Sequence, residues 1–275
     1  MYKFRLVFNL TELTYFDIDD QSHCFQKGSN SYIIFTKDGK KINQSSQLVI
    51  EGTGFSSDQE AYAEGQKMMN VLRLYSVSKR TGVHLGTDKV MGGISDFLQD
   101  RIRNEKGIVV LNEVNGLMTY EDSENVGVIS VSPTSFTLHK SFDGLKSIFD
   151  DYNKELMTFS NKLTNALDIY NGALFSPTPK LRFLMLVISI EAIIERTVGS
   201  SISQAGRELV KAMLGNKEYN GRSASEFFRH CYRLRSDFVH RGIWNEDNND
   251  LAYELENLVV ELLAAKATRE RLERN

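Results

Sequence analysis

Proline is nearly missing from this sequence, at 3 of 275 residues, and no stretch gathers proline, glycine and serine into a linker. Domains joined without such a tether pack closely instead of swinging. Cysteine is scarcer still. Cys24 and Cys231 stand far apart in unlike surroundings, which excludes a disulfide framework and fits a reducing compartment. Long apolar runs are lacking. The most apolar stretch, Leu181 to Ile194, is too short to cross a bilayer and carries Arg182 and Glu191. The first residues, Tyr2 to Phe8, alternate polar and apolar side chains as a strand does, unlike the apolar centre of a signal peptide. An excess of basic charge is also lacking. The 33 Lys and Arg face 36 Asp and Glu, for a net charge of −3, which excludes binding to nucleic acid over the whole surface and leaves that role to a local basic patch. The expectation is a cytoplasmic protein with no membrane segment.

What is present is ordinary for a globular chain: 41% apolar and 25% charged residues, with length enough for a sizeable core. The patterning changes once along the chain. It gives an α+β fold class, with a mixed sheet-and-helix region over residues 1–140 and an all-α helical bundle over residues 141–275.

In the first region, strands are expected at residues 2–10, Tyr32–Thr36, Gln47–Ile50, Gly107–Leu111 and Val126–Val131. Asp38-Gly39 has the composition of a tight hairpin turn. Gly52-Thr53-Gly54-Phe55 reads as a strand-to-helix turn. It lacks the third glycine and the lysine that a phosphate-cradling loop needs. Ser57-Asp58-Gln59-Glu60 is a capping box opening a helix over 59–79 with Ala61, Met68, Met69, Leu72 and Tyr75 along its apolar stripe. A further helix is expected over 94–103. The acidic group Asp17, Asp19 and Asp20 reads as a solvated loop. His23, His84 and His139 have no second ligand at metal-site spacing. No catalytic constellation is visible in this half.

Helical periods begin after Ser141. One long amphipathic helix is expected over 145–174, broken by Ser176-Pro177-Thr178-Pro179. Leu181 to Arg196 is apolar nearly all round, the pattern of a central helix buried on most sides. Glu191 interrupts it. That carboxylate either finds a cationic partner or lies half-exposed where the helix surfaces. A helix over 203–214 stops at Gly215. Ser223-Ala224-Ser225-Glu226, a second capping box, launches a helix that ends at Gly242, and a last helix runs from Asn249 or Asp250 toward Arg271.

The helix after Glu226 holds the densest chemistry in the chain. At ~100° per residue, Phe227, Cys231, Leu234 and Phe238 make its core stripe, and Phe228, Tyr232 and Val239 widen the apolar arc. Arg235 falls inside that arc, so it requires a partner or a second surface. Arg233 and Asp237 are spaced as a surface ion pair, and His240 sits in the last turn.

The segment Arg235-Ser236-Asp237-Phe238-Val239-His240, within Tyr232 to Gly242 and near the end of a late helix, resembles the R-x4-H motif of the HEPN superfamily. Tyr232-Arg233-Leu234-Arg235-Ser236 with Val239-His240-Arg241-Gly242, and Glu191-Ala192 in the earlier apolar helix, are most similar to its Apea-like branch. The likeness covers residues 145–270. Arg233 to His240 fits the looser x6 spacing, but Arg235 is preferred because polar Ser236 follows it directly. The resemblance implies a metal-independent endoribonuclease without a cofactor, in a toxin or antiviral defence context. RNA is its substrate, the site is shared between two copies of a homodimer, and an antitoxin or effector is a further partner. It assigns catalysis to Arg235, His240 and Ser236. Tyr232, Arg233 and Arg241 become substrate contacts, with Arg222, Arg229, Arg233 and Arg241 as a local basic track, and Glu191 the structural partner of Arg235. The alternative is a non-catalytic HEPN module that binds a nucleotide or a partner chain.

Overall fold

The computed structural model describes residues 1–11, 13–85, 107–112, 118–121, 138–151, 159–176, 178–195, 199–244 and 249–274. The expected helix over 94–103 and strand over 126–131 lie outside them. The chain divides into two compact units. The first is Met1–Tyr75 with Thr81–Met157, and the second is Ser76–Arg80 with Thr158–Asn275.

In the first unit, alternation at the N-terminus produces the central strand. β1 (Tyr2–Leu10) buries Phe4, Leu6, Phe8 and Leu10 on one face. Its other face carries Lys3 and Arg5, which both reach Glu51 on the neighbouring strand, at 3.2 and 2.7 Å. β2 (Thr14–Phe16), β3 (Ser22–Lys27), β4 (Asn30–Thr36), β5 (Gln47–Phe55), β6 (Val83–His84), β7 (Gly107–Asn112) and β8 (Met118–Glu121) follow. The main sheet has the antiparallel order β3-β4-β5-β1-β7-β8, with β6 also paired to β1. β9 (Leu138–Lys140) pairs with β2 in parallel.

Two local expectations change here. The tight hairpin is not at Asp38-Gly39, which lies in a longer connection between β4 and β5. It joins β3 to β4, where Lys27 pairs with Asn30 and Gly28 takes φ +60°. Gly52-Thr53-Gly54-Phe55 is not a turn but the end of β5. A Cβ on Gly52 would stand 2.4 Å from Phe4 Cε1. Gly54, at φ +96°, is the residue left over where the register shifts from Tyr2↔Phe55 to Lys3↔Thr53. Packing and a bulge therefore account for both glycines.

The capping box at α1 (Asp58–Lys79) forms with one change. Ser57 Oγ accepts from Glu60 N at 3.1 Å, while the Glu60 carboxylate accepts from Ser56 N instead of Ser57 N. α2 (Phe142–Asp151) buries Phe142, Leu145 and Phe149, with the Phe149 ring 5.1 Å from Tyr32 and 5.7 Å from Phe25. Those aromatic contacts with sheet side chains are why α2 groups with the strands, although the sequence joins it to the helical half.

The second unit holds α3 (Asn161–Leu174), α4 (Pro179–Ala192), α5 (Ile202–Leu214), α6 (Ala224–Arg241) and α7 (Asn249–Arg274), with a short hairpin of β10 (Glu218–Tyr219) and β11 (Arg222–Ser223). The single helix expected over 145–174 is two. Ser160 interrupts it: its Oγ accepts from Leu163 N as an N-cap and donates to Glu270 Oε1 at 2.6 Å, while Ser160 N donates to Glu270 Oε2. Such a cap is worth about 1 kcal/mol, more than serine gains inside a helix. Thr178 caps α4, with Pro179 in its first turn. Leu163, Leu167 and Tyr170 of α3, Phe183, Leu186, Val187 and Ile190 of α4, and Leu255, Leu258 and Leu262 of α7 are among its buried core residues. α4 departs from expectation twice. It ends at Ala192, and it is not buried on most sides, because Leu181 is 45% and Ile188 36% exposed.

Candidate functional site

α6 carries the candidate residues, and both of its ends are defined. Ser223 precedes it, but its hydroxyl donates to the Glu226 carboxylate at 2.9 Å and caps no backbone amide, so the second capping box does not form in its usual reciprocal way. At the other end Gly242 takes φ +68°. Its N–H donates to Phe238 O, and Ile243 N–H donates to Asp237 O. Phe227, Phe228, Cys231 and Leu234 are buried, as the helical wheel requires. Half-buried Phe238 meets the chain's single tryptophan, Trp244, at 5.5 Å, and Trp244 meets Phe183 of α4 at 5.0 Å.

Arg235 projects toward α4, where Glu191 lies near that helix's end. Arg235 Nε stands 3.2 Å from Glu191 Oε1, and an Nη2 hydrogen bond to Oε2 is long, at 3.4 Å. The shorter approach is an ion-pair contact without hydrogen-bond alignment. Arg235 Nε and Glu191 Oε1 are therefore both buried and both lack a hydrogen bond. Burial pushes the Glu191 carboxyl above its ordinary range, and the Arg235 guanidinium draws it only part of the way back. Most buried polar atoms are fully bonded, so this half-satisfied pair is an exception that calls for a reason.

His240 and Ser236 follow on the same helix. His240 is exposed and Ser236 half-buried, and neither side chain has a hydrogen-bonding partner among the described residues. His240 is five positions after Arg235, a rotation that leaves them ~140° apart around the helix. One copy of α6 therefore does not bring the two side chains to one face. Val239, one turn beyond Arg235, is 51% exposed, and Ile243 is 43% exposed. With Leu181 and Ile188 of α4, Val239 of α6 and Ile243 just beyond its end make four exposed large apolar side chains.

Arg233 is exposed and does not pair with Asp237. That carboxylate takes Arg241 instead, at 3.4 Å. Tyr232 is half-buried, its ring 6.0 Å from Phe228. Arg222, Glu226, Arg229, His230 and Arg233 line an open cleft of about 630 Å³. His230 and Trp244 escape a reading of the sequence. The signal for His230 is its spacing, since Glu226, His230 and Arg233 share one helical face at i, i+4 and i+7.

Among the described residues no group of three or more His, Cys, Asp and Glu is placed to hold a metal ion, and no helix is long and apolar enough to cross a membrane. Cys24 is exposed on β3 and Cys231 is buried on α6. Comparison with protein-family models, curated proteins and solved structures returns no match to this chain.

Proposed function

We propose that this chain is a metal-independent endoribonuclease of HEPN type, working as a homodimer in the reducing cytoplasm. The observation that carries the reading is Arg235 with its half-satisfied partner Glu191, followed by Ser236 and His240 near the end of α6. The Arg235 side chain is half-buried and its fork makes a single long hydrogen bond, so its Nη groups, and not the enclosed Nε, keep donor capacity for a phosphate oxygen.

The chemistry needs no outside nucleophile. The RNA 2′-hydroxyl attacks the adjacent phosphorus, a P–O2′ bond forms and the P–O5′ bond breaks. The products are a 2′,3′-cyclic phosphate and a 5′-hydroxyl. His240 takes the proton of the 2′-hydroxyl or delivers one to the departing 5′-oxygen. Arg235 stabilises the charge that develops on the phosphoryl oxygens, and Ser236 orients the phosphate or the imidazole. Arg235 and His240 point ~140° apart within one copy, so Arg235 of one copy works with His240 of the other. The exposed apolar side chains Leu181 and Ile188 of α4, Val239 of α6 and Ile243 beyond it offer apolar surface for a second copy to cover. A toxin or antiviral role, with an antitoxin or effector as a further partner, accompanies this reading.

The ion pair itself favours a second reading, a non-catalytic HEPN module that binds a nucleotide or partner, in which Glu191 holds Arg235 for stability alone. Incubation with RNA in EDTA separates the two. Cleavage by the wild type that Arg235→Ala and His240→Ala each abolish supports the nuclease; equal background from all three proteins would refute it.

A further inference from the structure

We propose that the cleft along the first half of α6 is a phosphate-binding groove that holds the backbone of single-stranded RNA on its way to His240. The identity of the ligand rests on the nuclease reading. The site rests on charge and shape.

Five arginines belong to α6 and the residue pair before it, and two of them are matched. Arg235 faces Glu191 and Arg241 faces Asp237. Arg222, Arg229 and Arg233 form no ion pair among the described residues, and all three line the cleft. The one carboxylate beside them, Glu226, accepts the Ser223 hydroxyl. Three guanidiniums against one carboxylate, on a chain of net charge −3, make a local field opposite in sign to that of the whole protein. A concave surface concentrates such a field, and guanidinium forks match phosphate oxygens.

The dimensions favour a single strand. The cleft, about 630 Å³, has the size of a small-ligand site and is walled by one helix and one hairpin. Arg229 and Arg233 are one turn apart, ~6 Å along the axis. Arg233 and His240 lie within ~20° of each other around the helix and ~10 Å apart along it, so a strand held in the cleft leads toward the imidazole. No large apolar side chain lines the cleft to enter a lipid surface, which disfavours an anionic membrane as its occupant.

The test is fluorescence anisotropy of a labelled short single-stranded RNA in EDTA, with His240→Ala as the non-cleaving background. Adding Arg229→Ala and Arg233→Ala should weaken binding by tenfold or more. It should also reduce the slope of log affinity against log salt by about 1.4, the value for two lost phosphate contacts on a single strand. Arg229→Lys with Arg233→Lys should recover most of the affinity, and because these side chains are exposed the thermal midpoint should not move. Affinity and slope unchanged by the double alanine variant would overturn the proposal. So would arginine-dependent binding to phosphatidylserine vesicles by a protein that does not bind the RNA. In the cleaving background the double alanine variant should raise KM and leave kcat. RNA bound through these arginines but cut by no form of the protein would remove the nuclease reading and leave the groove standing.

Discussion

At the scale of the residue, the decisive feature is a carboxylate that burial raises in pKa and one arginine answers incompletely. A group whose folded-state pKa is raised binds its proton more tightly in the folded chain. The stability it contributes is present below the unfolded pKa and is lost as pH rises through the folded one. For Glu191 that window opens near the ordinary value of 4.5 and extends upward. Urea midpoints of the wild type and Glu191→Gln, followed from below this value to neutrality, should show the variant gaining on the wild type as pH rises. A gap that stays flat or moves the other way would mean that Arg235 outweighs the desolvation. Much of this site is legible in the sequence. Glu191 interrupts an apolar helix, and Arg235 falls within an apolar arc. The pairing of Asp237 is not legible in the same way, because Arg233 and Arg241 are both four residues from it. The structure pairs it with Arg241, the order that sets the acid N-terminal to the base, which is the favourable one with respect to the helix dipole.

At the scale of the element, α5 and α6 meet where Gly206 lies under Phe228. A Cβ added there would stand 2.3 Å from the ring and 2.9 Å from Ile194 Cδ1. Helix propensity alone says that Gly206→Ala gains about 1 kcal/mol. The overlap with a ring that is fully buried says the reverse, and it wins, because the ring has nowhere to move. Gly206→Ala should destabilise by about 1–3 kcal/mol in a urea titration, and a stabilised variant would contradict the packing described here. Helix identity and most helix ends could be read from the sequence, since Thr178-Pro179, Gly215 and Gly242 signal their roles locally. The break at Ser160 could not. Its partner Glu270 is distant in sequence, and without that carboxylate residues 145–174 read as one uninterrupted apolar stripe. The tight hairpin at Gly28 was hidden for a similar reason, since β3 is short and its Ser22-His23-Cys24 start shows little alternation.

At the scale of the whole molecule, the α+β class follows from the change of period along the chain, and the structure has the antiparallel sheet and the helical region that this change predicts. An outward α4 face was not legible. Leu181 and Ile188 read as interior residues because sequence alone does not distinguish a helix covered by its own chain from one covered by another. That uncovered face and the ~140° between Arg235 and His240 lead to the same inference, a site divided between two copies. Mixing two inactive variants tests it most directly. Arg235→Ala and His240→Ala, each inactive alone, are unfolded together, refolded so that mixed dimers form, and assayed on RNA in EDTA. A shared site predicts that cleavage returns, at about a quarter of the wild-type rate, because half the dimers are mixed and each mixed dimer rebuilds one of its two sites. A mixture no more active than either variant alone would contradict it.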